Sequence, residues 1–338
     1  MLAEVFIGKE RVLYQIVNGL TKEEIVHQKN TYGYVRAQAR KIGIWSNTER
    51  KFSPAKWLPQ LNSPVFLKTT DNYQTDASAI GHFPGTNYTV SIKNVSDLVT
   101  HNTAILGILG VGKSMLAIEL VERMIAEGIK VICIDLADQY SKELLEFYNA
   151  DDEQKKLDEL CKVGQAGKTK VEKNVEEGGS VKAFAAAITK DISEFLDTKT
   201  SSKLKIFNPS KFEVWRQDSK PFNNTASMAS LTPTEATHII SDAALRIAQE
   251  QGMTDKARVC LVYEEAHSLI PEWNSVVAEG DKSATSGTAR AILQGRKYGM
   301  GCLLVTQRTA NVTKTILNQC NTIFAMRTFD DTGKEFLS

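Results

Sequence analysis

Thr103-Ala104-Ile105-Leu106-Gly107-Ile108-Leu109-Gly110-Val111-Gly112-Lys113-Ser114-Met115-Leu116-Ala117-Ile118-Glu119 decides how this chain is read. Ala104-Ile105-Leu106 is an apolar run of the kind that forms a buried parallel strand. Gly107 to Ser114 then fits G-x-x-x-x-G-K-[ST] at every fixed position, and Met115 onward is helix-forming and apolar on more than one face. Strand, glycine loop and helix together make a phosphate-binding loop. Glycines let the backbone wrap an anion and aim successive N–H groups inward, while the helix N-terminus adds partial positive charge. Gly107, Gly110, Val111, Gly112, Lys113, Ser114 and Met115 are therefore the candidate nucleotide-binding residues. Lys113 would reach the β- and γ-phosphates of ATP, and the Ser114 hydroxyl would ligate Mg²⁺. The competing reading, a glycine turn before an ordinary helix, leaves the lysine and serine unexplained.

Working outward, 338 residues allow two domains and a sizeable core. Lys plus Arg number 41 and Asp plus Glu 40, a balance that argues against binding nucleic acid through a basic tail. It leaves room for a basic stripe inside a ring, which net charge averages away. No run of 18 apolar residues is present, so no transmembrane helix is expected, and the first residues lack the pattern of a secretory leader. Cys133, Cys161, Cys260, Cys302 and Cys320 show no C-x-x-C spacing; three fall in expected core strands, which suits small buried residues in a reducing cytoplasm.

Residues 1 to about 75 differ from the rest, with short β-branched and aromatic runs punctuated by Asn18-Gly19, Tyr32-Gly33 and Ser46-Asn47. They predict a small N-terminal β-barrel, or else an edge layer on the main domain. Residues 76–338 form the second domain. In it, the phosphate-loop helix ends near Gly128, and Lys130 to Asp135 is a second strand, closing a βαβ unit. Asp135 either holds water or metal at one remove or caps the next turn. Residues 150–202 read as a helical, charged insertion, with solvent preferred over DNA as its surroundings; Phe184, Ile188, Ile192, Phe195 and Leu196 share one helical face. Thr232-Pro233-Thr234-Glu235 is a helix start with a capping threonine and an acid three residues on.

Arg258 to Tyr263 is an apolar strand that runs into Glu264 and Glu265. An acid at such a strand end serves Mg²⁺ and a neighbour polarises the attacking water. Strand alternation separates the two side chains, so Glu264 is assigned to the metal and Glu265 to the water. His267 reads as a structural histidine. Gly301 to Thr306 is a further strand ending in Gln307, placed to sense the γ-phosphate or orient water. Arg290 and Arg296 lie on one predicted helix, where they either offset its dipole or act as arginine fingers on a neighbouring subunit.

GILGVGKS, IDLADQYS, LVYEEAHSLIP, QGRKYGMGCLLVTQR and LNQCNTIFAMR, in this order between Tyr88 and Thr328, resemble the HerA family of hexameric ATPases, relatives of the FtsK translocases. The resemblance implies an α/β RecA-like P-loop core with a mainly parallel sheet and an N-terminal β-barrel. It also implies a homohexamer, Mg²⁺-dependent ATP hydrolysis, translocation or helicase-like action on double-stranded DNA, and assembly with a nuclease or an antiviral effector. A scaffold that organises an effector and hydrolyses slowly is the alternative. Ile108, Leu109 and Val111 depart from the small polar residues usual in the family's loop. Family members also continue with C-terminal elements that brace the ring, and relative to them a chain ending at Ser338 reads as shortened.

Overall fold

Alternation of side chains along the strands sorts the residues into two kinds of sheet. The computed structural model describes residues 2–22, 34–49, 51–68, 77–83, 86–172, 179–217, 228–272, 279–308 and 311–327. The expected turn at Tyr32-Gly33 lies outside them, as does Thr328. The chain separates into two compact units, Met1–Lys93 and Asn94–Ser338.

The first unit holds β1 (Leu2–Ile7), β2 (Glu10–Lys22), β3 (Tyr34–Ser46), β4 (Lys51–Ser53), β5 (Val65–Lys68), β6 (Ala79–His82) and β7 (Thr89–Ser91). Five of these strands make an antiparallel sheet in the order β4-β3-β2-β1-β5, and β6 pairs with β7. This is the small barrel-like part expected from short, turn-punctuated strands. Leu2, Leu13 and Tyr88 are buried at its centre, and Trp45 packs edge-on against Phe52 and at a tilt against Tyr88, with both ring centroids 5.0 Å away. Asn18-Gly19 does not turn the chain as its composition suggests. Both residues pair within β2, opposite Gln38 and Ala37, where the register shifts between Ile16 and Asn18. Turn-prone residues are absorbed there by a bulge, because the long partner strand outweighs local preference.

The second unit follows with α1 (Val95–Thr100), β8 (Thr103–Leu106), α2 (Lys113–Ala126), β9 (Lys130–Ile134), α3 (Tyr140–Glu143), α4 (Ala150–Glu172), α5 (Gly179–Leu196), β10 (Leu204–Phe207), β11 (Trp215–Gln217) and β12 (Met228–Ser230). It continues through α6 (Pro233–Glu250), β13 (Thr254–Tyr263), α7 (Ala266–Leu269), α8 (Glu279–Gly295), β14 (Tyr298–Thr306), α9 (Lys314–Leu317) and β15 (Thr322–Ala325). Six strands form a parallel sheet in the order β10-β9-β13-β14-β8-β15. Because β14 lies between β8 and β13, its C-terminal end falls between the phosphate loop and the paired acids. Ala104, Leu106, Ile132, Ile134, Leu261, Tyr263 and Leu304 face a layer built from α5, α6 and α8. Gly301 lets α1 approach the sheet: a Cβ there would stand 1.7 Å from the Val99 carbonyl oxygen.

The 150–202 segment is helical over Ala150–Glu172 and Gly179–Leu196, as expected, but α5 is core rather than solvated insertion. Phe184, Ile188, Ile192, Phe195 and Leu196 of α5 are all buried against the sheet layer. Lys205 of β10, 1% exposed, is held by Glu153 of α4 at 3.0 Å and Asp191 of α5 at 2.7 Å. Burying a charge in this way is tolerable only with such partners. The helix start at Thr232 is a complete capping box, Thr232 Oγ1 accepting from Glu235 N and Glu235 Oε2 from Thr232 N. Among the described residues no helix is long and apolar enough to cross a membrane.

Candidate nucleotide site

The phosphate loop leaves β8 at Gly107, whose N–H donates to the Thr306 carbonyl, and Ile108 N donates to the Arg327 carbonyl. Gly110 (φ 78°) and Gly112 (φ 89°) are left-handed, and Gly112 is the N-cap of α2. A Cβ on either would meet nothing within 4 Å, so backbone conformation requires these glycines, and the space beside them is open for an anion. Leu109 and Met115 are strongly exposed on the loop and the first turn. Lys113 is buried along its length, with Nζ donating to the Ile108 carbonyl at 2.8 Å. Burial lowers its pKa, and the nearby Glu265 and Glu264 carboxylates oppose that shift.

Across from the loop, Glu264 is 4% exposed and lies one residue past the end of β13. Its Oε1 accepts from Ser114 Oγ at 3.2 Å and its Oε2 from the Tyr140 hydroxyl at 2.8 Å. Burial raises its pKa to about 7; the Tyr140 and Ser114 hydrogen bonds oppose this and the Asp135 and Glu265 charges add to it. Glu265 points elsewhere, and the separation comes from the backbone more than from strand alternation. Its φ of 53° and ψ of 50° place a residue other than glycine in the left-handed region, at a cost of about 1–3 kcal/mol. There its Oε1 accepts from Gln307 Nε2 at 3.4 Å and its Oε2 lies 3.2 Å from His267 Nδ1. The same ring nitrogen is 3.2 Å from Thr306 Oγ1, and burial lowers the His267 pKa while the Glu265 charge opposes that shift.

The structure thus brings Lys113, Ser114, Glu264, Glu265 and Gln307 to one place at the C-terminal edge of the sheet. Asp135, fully buried, caps the turn after β9 by accepting from the N–H groups of Ala137, Gln139 and Tyr140. Of the two readings offered for Asp135, the cap is the one its geometry fits. Tyr140 went unnoticed in the sequence; the available signal was an aromatic residue five positions after a strand-ending aspartate.

The two arginines are not part of this cluster. The expectation that they lie on one helix fails, because α8 ends at Gly295 and Arg296 lies in the turn beyond it. Arg290 is exposed on α8. Arg296 precedes β14, whose nine residues span roughly 30 Å at about 3.3 Å each, so it lies at the opposite edge of the sheet from Gln307. There its Nη2 donates to His101 Nε2 at 2.8 Å.

A hydroxyl and a carboxylate 3.2 Å apart beside a lysine and a helix N-terminus suit a hard divalent cation that takes its remaining ligands from phosphate and water. Among the described residues no group of three or more His, Cys, Asp or Glu side chains could hold a metal ion.

A comparison with curated proteins finds no match. Among solved structures, the chain is similar to VirB4 of Thermoanaerobacter pseudethanolicus at 15% identity, covering 77% of this chain and 87% of that one with a TM-score of 0.41. It is also similar to the genome packaging NTPase B204 of Sulfolobus turreted icosahedral virus 2 in complex with ATP-gammaS, at 14% identity over 70% of this chain and 78% of that one, TM-score 0.38. The bacterial conjugative coupling protein TrwBdeltaN70 is a third, at 13% identity over 74% of each chain, TM-score 0.38. Likenesses this distant assign no role to any residue. Sequence is more decisive: residues 78–251, just over half of the 338, match the family of the helicase HerA central domain. On that match the chain belongs to the HerA central-domain family, and its phosphate loop and parallel sheet are those of a P-loop NTPase.

Proposed function

We propose that this chain is the ATPase subunit of a cytoplasmic homohexameric ring that hydrolyses ATP to move double-stranded DNA or to drive an associated nuclease or antiviral effector. The observation that carries the reading is the Ser114–Glu264 contact beside a separately held Glu265, two carboxylates with two different environments. Gly107, Gly110, Val111, Gly112 and Met115 line the phosphate loop and the first helical turn. Lys113 leaves its carbonyl partner for the β- and γ-phosphates. Ser114 and Glu264 are the protein ligands for Mg²⁺, which when bound neutralises charge on the phosphate oxygens. Glu265, held by Gln307 and beside His267, accepts a hydrogen bond from the attacking water and orients it. Gln307, just past the end of the strand between loop and acids, registers whether the γ-phosphate is present and passes that to Glu265. Arg308, beside Gln307 and near enough to His267 to act on its charge, and Arg327, whose carbonyl accepts from Ile108 N, lie at this edge; Arg296 or Arg290 is proposed to act on a neighbour's nucleotide. Residues 1–75 are proposed as the accessory barrel and 76–338 as the ATPase domain.

The test is phosphate release by the purified chain with Mg²⁺, with and without linear duplex DNA. Turnover stimulated by DNA supports the motor. Nucleotide-dependent assembly with slow turnover indifferent to DNA would replace it with the scaffold reading.

A further inference from the structure

Glu264 has two oxygens, and the protein treats them differently. One faces Ser114 and the space in front of the phosphate loop, while the other takes a hydrogen bond from a phenol that is fully buried. Tyr140 lies 124 residues away in sequence and reaches Glu264 because Asp135 shapes the intervening turn. Asp135 Oδ1 accepts from Ala137 N at 2.8 Å, and its Oδ2 from Gln139 N at 2.6 Å and Tyr140 N at 2.9 Å. The far side of that turn is pinned as well. Asn208 Nδ2 donates to the Leu136 carbonyl at 3.3 Å and to Asp138 Oδ1 at 3.1 Å, and Lys211 pairs with Asp138 at 2.7 Å. Such a doubly anchored loop delivers a hydroxyl to one place.

We propose that Tyr140 is a positioning residue for the metal-binding carboxylate, fixing one Glu264 oxygen so that the other is presented to Ser114 and Mg²⁺. The proposal rests on the nucleotide-site reading above. A carboxylate that only needed satisfaction could rotate between donors; one held by a rigid phenol cannot. Partners of this kind behind a metal ligand typically change metal affinity about 10–100-fold when removed.

Tyr140→Phe removes only the hydroxyl. The measurement is binding of a fluorescent, non-hydrolysable ATP analogue, titrated with Mg²⁺ and repeated in EDTA, with folding followed by circular dichroism. The expected result is unchanged binding in EDTA, a Mg²⁺ midpoint raised about 10–100-fold, and full recovery at saturating Mg²⁺. An unmoved midpoint in folded protein overturns the proposal, and so does an equal loss with and without Mg²⁺, which would make the hydroxyl a general structural contact. Asp135→Asn keeps the hydroxyl but loosens its anchor, and should move the midpoint in the same direction by a smaller factor. It carries the same test if Tyr140→Phe does not fold. Wild-type protein that binds the analogue equally with and without Mg²⁺ would instead overturn the site reading itself, and the proposal with it.

Discussion

The two ends of the same parallel sheet are built to different standards of completeness. At the C-terminal edge Lys113, Ser114, Glu264, Glu265, Gln307 and Tyr140 interlock, and each acid has its own partners. At the N-terminal edge Arg296 meets the His101 ring within a pocket of about 190 Å³ lined also by Thr100, Asn102, Asn318 and Asn321. One end has acids, a metal-type ligand pair and a lysine, with Arg308 and Arg327 close by. The other has an arginine with an imidazole in place of a carboxylate. On the ring reading proposed above, the difference is that the arginine meeting charge on a transferred phosphoryl group, a contribution of about 10³–10⁵ in rate, comes from a neighbouring copy.

The sharpest way to break this comparison is at the complete end. Lys113→Ala should bring ATP turnover to background and weaken nucleotide binding, because no neutral residue supplies the point charge the phosphates need. Its melting temperature should stay close to wild type; wild-type turnover in such a folded variant would remove the phosphate loop from the chemistry.

At the other end, Arg296→Ala should bind ATP and assemble normally yet lose turnover by about 10³–10⁵. Mixed with Lys113→Ala it should regain activity, since some interfaces then pair an intact loop with an intact arginine. A flat mixing curve, with subunit exchange shown independently, would confine Arg296 to its own chain.

A smaller effect reports the electrostatics of the complete end in metal-free, nucleotide-free protein. Burial lifts the Glu264 pKa from 4.5 to about 7, so between those values the folded state holds the proton more tightly than the unfolded chain. Stability therefore falls as pH rises through that window, by about 3 kcal/mol in total at 1.36 kcal/mol per unit. Glu264→Gln lacks that loss. Denaturant melts at pH 5 and pH 8 in chelator should show the variant gaining on wild type at the higher pH, and parallel pH dependence would show that Glu264 ionises in the fold without penalty.

Local signals made much of this legible in advance. The phosphate loop, the acids after Tyr263, the glutamine after Thr306 and the capping box at Thr232 are each written in a few consecutive residues whose chemistry has one structural use. The α5 face was also visible, though its surroundings were not, because the polar flanks masked how deeply Phe184 and Ile188 enter the core. Failures came where partners far apart in sequence decide. Asn18-Gly19 became a bulge because β3 pairs across it. Arg296 left its helix because α8 ends at Gly295 ahead of β14. Tyr140 could not be matched to Glu264 until the turn capped by Asp135 was seen to bring them together.

The central claim is that two adjacent acids divide binding and hydrolysis between them. It is tested most directly with Glu265→Gln, by measuring Mg²⁺·ATP affinity and single-turnover hydrolysis in the same preparation. The substitution keeps shape and removes the charge that orients and polarises water, so affinity should match wild type while hydrolysis falls by about 10²–10⁴. Hydrolysis at the wild-type rate, or a raised Mg²⁺ requirement with hydrolysis intact, would contradict it and reverse the roles of Glu264 and Glu265.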